Sequence, residues 1–400
     1  MDQTRFDILF VDDEQRVLDA LRRQLHSHRA HWTTRYALSG EAALAMLDQQ
    51  AADVVISDMR MPGMDGGVLL KRVHDQFPQV TRIVLSGQTE QAELLRNMAC
   101  IHQYLQKPCD PPTLIAAIER AWRLTRTVQV PKLRCAVTKI TAMPPRDSIY
   151  RQLLDALDDE EETAESIAKV MQQDPALTAK AIQLVSSAFF GIPRRVNSVR
   201  DAIVMLGLHT IRTLVTAAHL FDFIREGMSI ESINALWIAS VRLGERAERL
   251  ACRAGVSVPA QQRARLAGTM CMLGRAILAT TYPEPFQEAR TVAVARAMNL
   301  MEAEKQRFGA TQDDLTAFAL GIWGMDEDLV AAAASQSFPS HLPQDVSDHP
   351  GVFVHLARRL HTPLCAPLDE QVPADPKWNR DLAWLQDAEL GGDLDSLEVA

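Results

Sequence analysis

The sequence predicts two architectures in one chain: a doubly wound α/β domain with a five-stranded parallel sheet, then an all-α domain. Three observations carry this. Strand and helix patterns alternate from residue 5 to about residue 127, and such alternation describes a parallel sheet covered by helices on both faces. The short apolar runs of that region end in acidic, hydroxyl or basic residues. From Ser148 onward the pattern becomes wholly helical.

The run Phe6-Asp7-Ile8-Leu9-Phe10-Val11 ends in Asp12-Asp13, and Asp53-Val54-Val55-Ile56-Ser57 ends in Asp58. Thr81-Arg82-Ile83-Val84-Leu85 ends in Ser86-Gly87, and His102-Gln103-Tyr104-Leu105-Gln106 ends in Lys107-Pro108. Short apolar runs of this kind are buried parallel strands. Between them, helical faces are marked by Val17, Leu21 and Leu25; by Ala42 to Leu47 after Gly40; by Val68, Leu69, Leu70 and Val73; by Ala92, Leu95 and Met98; and by Leu114, Ile115, Ile118 and Trp122. Crossovers between parallel strands are right-handed almost without exception.

Ligands of an open parallel sheet bind beyond the carboxyl ends of its strands. Asp12, Asp13, Asp58, Ser86 and Lys107 are therefore expected at one edge. Carboxylate oxygens suit Mg²⁺, which keeps several waters. A carboxylate can attack a phosphoryl group and form an aspartyl phosphate. The transition state spreads negative charge over its equatorial oxygens, so positioning and positive countercharge do most of the work. Each element alone has a bland reading: an Asp-Asp pair caps helices and turns, and Lys-Pro marks loops. Their conjunction at successive strand ends is specific.

Composition bounds the remaining classes. Hydrophobic residues are 47% and charged residues 23% of the 400, an ordinary globular balance. The six cysteines (Cys100, Cys109, Cys135, Cys252, Cys271 and Cys365) form no Cys-x-x-Cys pair. This argues against a zinc ribbon or disulfide framework and fits a reducing cytosol. No signal peptide and no bilayer-length apolar stretch is visible, so the expectation is a cytoplasmic protein without membrane partners. The net charge is −9, but Asp369 to Ala400 carries nine acidic and two basic residues. The folded body is then near neutral and lacks the basic footprint of nucleic-acid binding. The tail, residues 366–400, reads as a solvated acidic segment. A short docking helix around Trp378, Leu382 and Leu385 is the alternative there.

The motifs Phe10-Val11-Asp12-Asp13-Glu14, Ser57-Asp58-Met59-Arg60-Met61-Pro62-Gly63-Met64-Asp65-Gly66, Leu85-Ser86-Gly87 and Tyr104-Leu105-Gln106-Lys107-Pro108 resemble a two-component response-regulator receiver domain, a flavodoxin-like fold. The resemblance spans residues 1–127 as a domain. It implies that Asp58 is the phosphoacceptor. It also implies that Asp12, Asp13, Asp58 and the backbone carbonyl of Arg60 hold Mg²⁺ (or Mn²⁺), with Asp12 acting mainly through water. Lys107 would pair with the phosphoryl group, and Ser86 and Tyr104 would form the switch pair. The Lys107–Pro108 bond would be cis. The ordinary alternative for Tyr104 is a packed aromatic at a sheet edge.

Thr125 to Pro145 mixes basic residues with Pro131, Pro144 and Pro145, and residues 128–142 read as a linker. Beyond it, Leu153, Leu154 and Leu157, then Ile167, Val170 and Met171, mark helices. Asp174-Pro175 reads as an N-cap with a first-turn proline, and Gly207 as a C′ glycine after Ile203, Val204 and Leu206. A bundle-like packing is expected. Met143-Pro144-Pro145, Asp174 to Thr178, Leu184 to Gly191, Ala202 to Gly207 and Ala267 to Gly274 resemble the HDOD output domain, a relative of the HD phosphohydrolases, over residues 143–365. Ser186 stands where that family usually has asparagine. The metal ligands of a working HD site would fall at Ala239, at Cys271-Met272, near Gln312 and near Ser335-Gln336, and none of these is histidine. Asp313 reads as an isolated carboxylate, and the Cys271-Met272 pair as core packing. His209 and His219 read as satisfied or surface histidines. Phe189, Phe190 and Ile192 read as core rather than a recognition patch.

These expectations combine into a phosphorelay response regulator. A sensor histidine kinase phosphorylates Asp58, and a non-catalytic HDOD domain, holding no cofactor, binds a downstream protein. A homodimer through the Tyr104 face is a further expected partner. The alternative is a receiver-controlled HD-type metal phosphohydrolase of cyclic nucleotides, which the absent ligands argue against. A transcription factor is a third reading; the chain shows neither a helix-turn-helix signal nor a basic stripe.

Overall fold

The computed structural model describes residues 5–28, 31–87, 100–139, 145–159, 162–186, 196–208, 211, 230–337, 342 and 348–359. Five parallel strands run β1 (Phe6–Val11), β2 (Trp32–Ala37), β3 (Val54–Asp58), β4 (Thr81–Ser86) and β5 (Gln103–Gln106), in the spatial order β2-β1-β3-β4-β5. The described helices among them are α1 (Gln15–Gln24), α2 (Gly40–Gln49), α3 (Gly66–Gln76) and α4 (Pro111–Thr127). The expected helix at Ala92, Leu95 and Met98 lies outside the described residues.

Strand chemistry follows burial. Every residue of β1, β3 and β4 is buried, as the continuous apolar runs require. β2, Trp-Thr-Thr-Arg-Tyr-Ala, is buried only at its two ends because it is an edge strand. Its polar middle explains why no apolar run marks it in the sequence. On one face of the sheet, Ile8, Phe10, Ile56, Ile83 and Leu105 pack with Leu18, Leu114 and Ile118. On the other, Leu9, Val55, Val84 and Tyr104 pack with Leu47, Leu69 and Leu70. Side-chain hydroxyl or carboxylate caps open α2 (Ser39) and α3 (Asp65), as short polar residues do at N-caps.

The remaining helices are α5 (Pro131–Lys139), α6 (Asp147–Asp158), α7 (Ala164–Met171), α8 (Pro175–Ser186), α9 (Val199–Leu206), α10 (Ile230–Arg253), α11 (Val258–Met270), α12 (Leu273–Thr281), α13 (Pro283–Ala295), α14 (Leu300–Phe308), α15 (Gln312–Ile322), α16 (Glu327–Ser335) and α17 (Pro350–Arg359). Asp174 caps α8, accepting from the backbone N–H of Ala176 at 2.9 Å and of Leu177 at 3.2 Å. Gly207 ends α9 with φ +80°, a conformation costly to other residues.

The segment read as a linker is folded over most of its length. α5 buries Leu133, Ala136, Val137 and Thr138. Proline at its first position and apolar residues three and four apart make a nine-residue amphipathic helix that the basic residues conceal in a composition reading. The Tyr104 side of the sheet and the helical core form one continuous apolar cluster through Leu124, Val128, Leu133 and Val137. Among the described residues, no helix is long and apolar enough to cross a membrane. Met143, Pro144, Phe189, Phe190, Ile192, His209, His219 and the acidic tail lie outside the described residues.

Candidate functional site

The strand order reverses direction of growth between β1 and β3, the place where such sheets bind ligands. Asp12 and Asp13 follow β1, and Asp58 closes β3. One carboxylate oxygen from each of the three lies within 4.8 Å of the others. Lys107, just past β5, brings its Nζ to 2.7 Å from Asp58 Oδ1 and 3.3 Å from Asp12 Oδ2. Burial alone would lower the Lys107 pKa, but the ion pairs with Asp58 and Asp12 outweigh it and raise it. The ammonium is therefore a fixed positive charge at the carboxylate that would receive a phosphoryl group.

Backbone pairing holds these groups in place. The Met59 N–H donates to Leu85 O at 3.0 Å, and the Lys107 N–H donates to Ser86 O at 2.8 Å. Asp12 Oδ1 accepts from the Glu14 N–H at 2.9 Å, which orients its other oxygen toward Lys107. Ser86 closes β4 and is fully buried; Lys107–Pro108 is cis. Tyr104 is 3% exposed within the apolar cluster, and burial pushes its hydroxyl well above the ordinary tyrosine pKa. Arg60 is exposed, two residues beyond β3.

Three hard oxygen donors this close fit a small divalent cation with octahedral geometry and retained waters. Bound there, a divalent cation supplies countercharge to phosphoryl oxygens. The protein's own contribution is three clustered carboxylates, the Lys107 ammonium and a rigid sheet edge.

The positions where HD ligands would fall are occupied differently. Ala239, Cys271, Met272, Gln312, Ser335 and Gln336 are all buried. The Gln336 amide donates to Cys271 O at 3.1 Å, and the Gln312 amide donates to Asp313. Asp313 is not isolated: Arg358 Nη1 stands 3.4 Å from its Oδ1 and donates to Gln336 Oε1 at 2.7 Å. Glu304 accepts from the Gln312 N–H at 3.0 Å and lies 3.5 Å from Arg275 Nε. A guanidinium thus engages oxygens that a cation would otherwise need. Glu304, Arg275 and Arg358 sit on α14, α12 and α17, so no sequence spacing brings them to Gln312 and Asp313.

Two family matches coincide with these two regions. Residues 8–119 match the response regulator receiver domain, and residues 143–339 match the HDOD domain. The chain belongs to the receiver–HDOD response regulators. Its receiver is 40% identical over 116 residues to the hydrogenase transcriptional regulatory protein HoxA of Cupriavidus necator, covering 28% of this chain and 23% of that one. It is 34% identical over 112 residues to the DNA-binding transcriptional regulator NtrC of Salmonella typhimurium, covering 28% of this chain and 24% of that one. The chain thus spans about a quarter of the length of these relatives. The solved structure of the MmoQ response regulator from Methylococcus capsulatus is 25% identical, with a TM-score of 0.48, covering 64% of this chain and 98% of that one.

Proposed function

We propose that this receiver–HDOD protein is a phosphorelay response regulator whose Asp58 takes a phosphoryl group from a sensor histidine kinase. The observation that carries the reading is Asp58 Oδ1 at 2.7 Å from the Lys107 ammonium, inside the Asp12–Asp13–Asp58 cluster. An Asp58 oxygen forms the new bond to phosphorus as the donor's N–P bond breaks, and the freed imidazole leaves. Lys107 neutralises charge on the transferred oxygens, and the buried Ser86 hydroxyl lies one strand away to donate to them. Asp12, Asp13, Asp58 and the Arg60 carbonyl are the ligand set proposed for Mg²⁺ or Mn²⁺.

The HDOD domain acts in this reading by protein contact, without chemistry of its own. Support comes from the Gln312, Asp313, Gln336 and Arg358 network at the positions where the phosphohydrolase alternative needs metal ligands. A homodimer through the Tyr104 face would require that face to leave the apolar cluster it now shares with the helical core. The similarity to HoxA and NtrC is confined to the receiver-length segment and supports no DNA-binding reading here.

The test is labelling of the full chain by acetyl phosphate with Mg²⁺, read as a mobility shift on a phosphate-affinity gel. Wild type is expected to label and Asp58→Asn to remain unlabelled. Full labelling of the Asn variant would overturn the assignment.

A further inference from the structure

Edge strand β5 is not open. The Gln103 amide, at its first residue, donates to the carbonyls of Gly321 at 3.3 Å and Ile322 at 3.0 Å. These belong to the last turn of α15, where carbonyls lack i+4 partners; the Gly321 carbonyl also accepts from the Gly324 N–H at 3.0 Å. A receiver side chain therefore caps a helix of the HDOD domain, more than two hundred residues away in sequence.

Both ends of α15 are closely packed, against the Leu124 side chain at one end and against the backbone of α12 at the other. A Cβ at Gly321 would lie 2.4 Å from Leu124 Cδ1 on α4. A Cβ at Gly274 of α12 would lie 2.1 Å from Gln312 O at the other end. The first residues of α15 are Gln312 and Asp313, both buried in the Arg358–Gln336 network. With 11 residues, α15 is about 16 Å long. It is a stiff rod between the receiver edge and a buried polar cluster, and buried charged networks change between discrete arrangements rather than by degrees.

The receiver end is tied to the phosphoryl site by β5 itself. Lys107 follows β5 directly and is bonded to Asp58, while Gln103 begins the strand. Four residues of strand span about 13 Å. Adding a phosphoryl group to Asp58 replaces the carboxylate that Lys107 now pairs with, so the pull at one end of β5 changes.

We infer that β5 and α15 form a relay: Gln103 is the coupling residue, and the state of Asp58 sets the packing of the Gln312–Asp313–Gln336–Arg358 cluster. This inference rests on Asp58 being the phosphoacceptor. Coupling of this kind is reciprocal in free energy.

The test is hydrogen exchange by mass spectrometry on the full chain, with and without beryllofluoride plus Mg²⁺ as the phosphoryl mimic. In wild type, exchange of peptides spanning residues 312–322 is expected to change by about threefold or more on adding the mimic, a coupling of about 0.7 kcal/mol. Gln103→Leu, which keeps volume and removes the amide, is expected to lose that mimic-dependent change while the receiver's own peptides still respond. Gln103→Ala serves as the second variant. A purely structural role for Gln103 would shift exchange equally with and without the mimic, and that result would overturn the relay. So would an unresponsive α15 in wild type beside responsive receiver peptides. If the receiver peptides themselves stay unchanged, the phosphoacceptor reading fails, and the relay with it.

Discussion

Replacing Arg82 by methionine tests how firmly the two domains are joined. Arg82 lies on β4, is fully buried, and spends its guanidinium on backbone carbonyls. Its guanidinium donates to Cys100 O at 2.5 Å, Val80 O at 2.8 Å and, across to α5, Thr138 O at 2.7 Å. Burial lowers its pKa to about 9, so it remains charged at neutral pH. His102 is fixed beside it: Nδ1 accepts from the Arg82 backbone N–H at 3.0 Å, so Nε2 carries the proton and donates to Thr138 O at 3.0 Å. Methionine keeps the apolar stem but removes three charge-assisted hydrogen bonds; the Cys100 and Val80 carbonyls lose the guanidinium donor, while Thr138 O keeps its bond from His102. Hydrogen bonds to charged groups contribute about 1.5–3 kcal/mol each, and ending the burial of the guanidinium offsets several kcal/mol of that loss. The net loss is about 3 kcal/mol, roughly a hundredfold in the folding equilibrium. With a urea m-value of about 3 kcal/mol per molar, the midpoint falls by about 1 M. Arg82→Lys is expected to recover part of this, since an ammonium can satisfy some of the carbonyls. Urea titration followed by circular dichroism checks both variants. A midpoint for Arg82→Met within about 0.3 M of wild type would refute the reasoning.

Three further outcomes follow from the same geometry. Burial, reinforced by the Arg82 charge, holds the His102 pKa well below 6.5 and the His74 pKa at about 4. Their stabilising effect is complete above pH 6.5, where the unfolded histidines are also neutral, and is lost as pH falls from 6.5 toward 4; His102→Gln should flatten the stability-versus-pH curve over that window, and an unaltered slope would contradict it. Lys107→Ala removes a cation from the Asp58 and Asp12 carboxylates and should tighten Mg²⁺ binding about fivefold, roughly 1 kcal/mol, by calorimetry; weaker binding would show that Lys107 does not oppose the divalent charge. Asp174→Ala strips the N-cap of α8 and should cost about 2 kcal/mol in thermal or urea unfolding, whereas a change below about 0.5 kcal/mol would mean other groups satisfy those amides.

The site and the helical domain differed in how much the sequence disclosed. The strand-end residues Asp12, Asp58, Ser86 and Lys107 were legible because each directly terminates or follows a buried strand, and the parallel fold brings such termini together. β2 was implied only by the alternation, since an edge strand needs no continuous apolar run. The linker reading of residues 128–142 missed α5 because its helical signal is short and masked by basic residues. Asp313 looked isolated because its partner Arg358 is 45 residues away.

By itself, then, the sequence determined the doubly wound sheet, the order of the polar residues at its strand ends, the helical second domain and the non-histidine residues at Ala239, Cys271-Met272, Gln312 and Ser335-Gln336. These are local properties, written in periodicity and in the residues that end each element. The tertiary structure alone decided that Gln103 caps α15, that Arg82 and His102 reach Thr138, and that Arg358 enters the polar cluster. Those contacts join segments that no periodic pattern relates. They exist because buried donors and carbonyls must find partners wherever packing brings another element within about 3 Å.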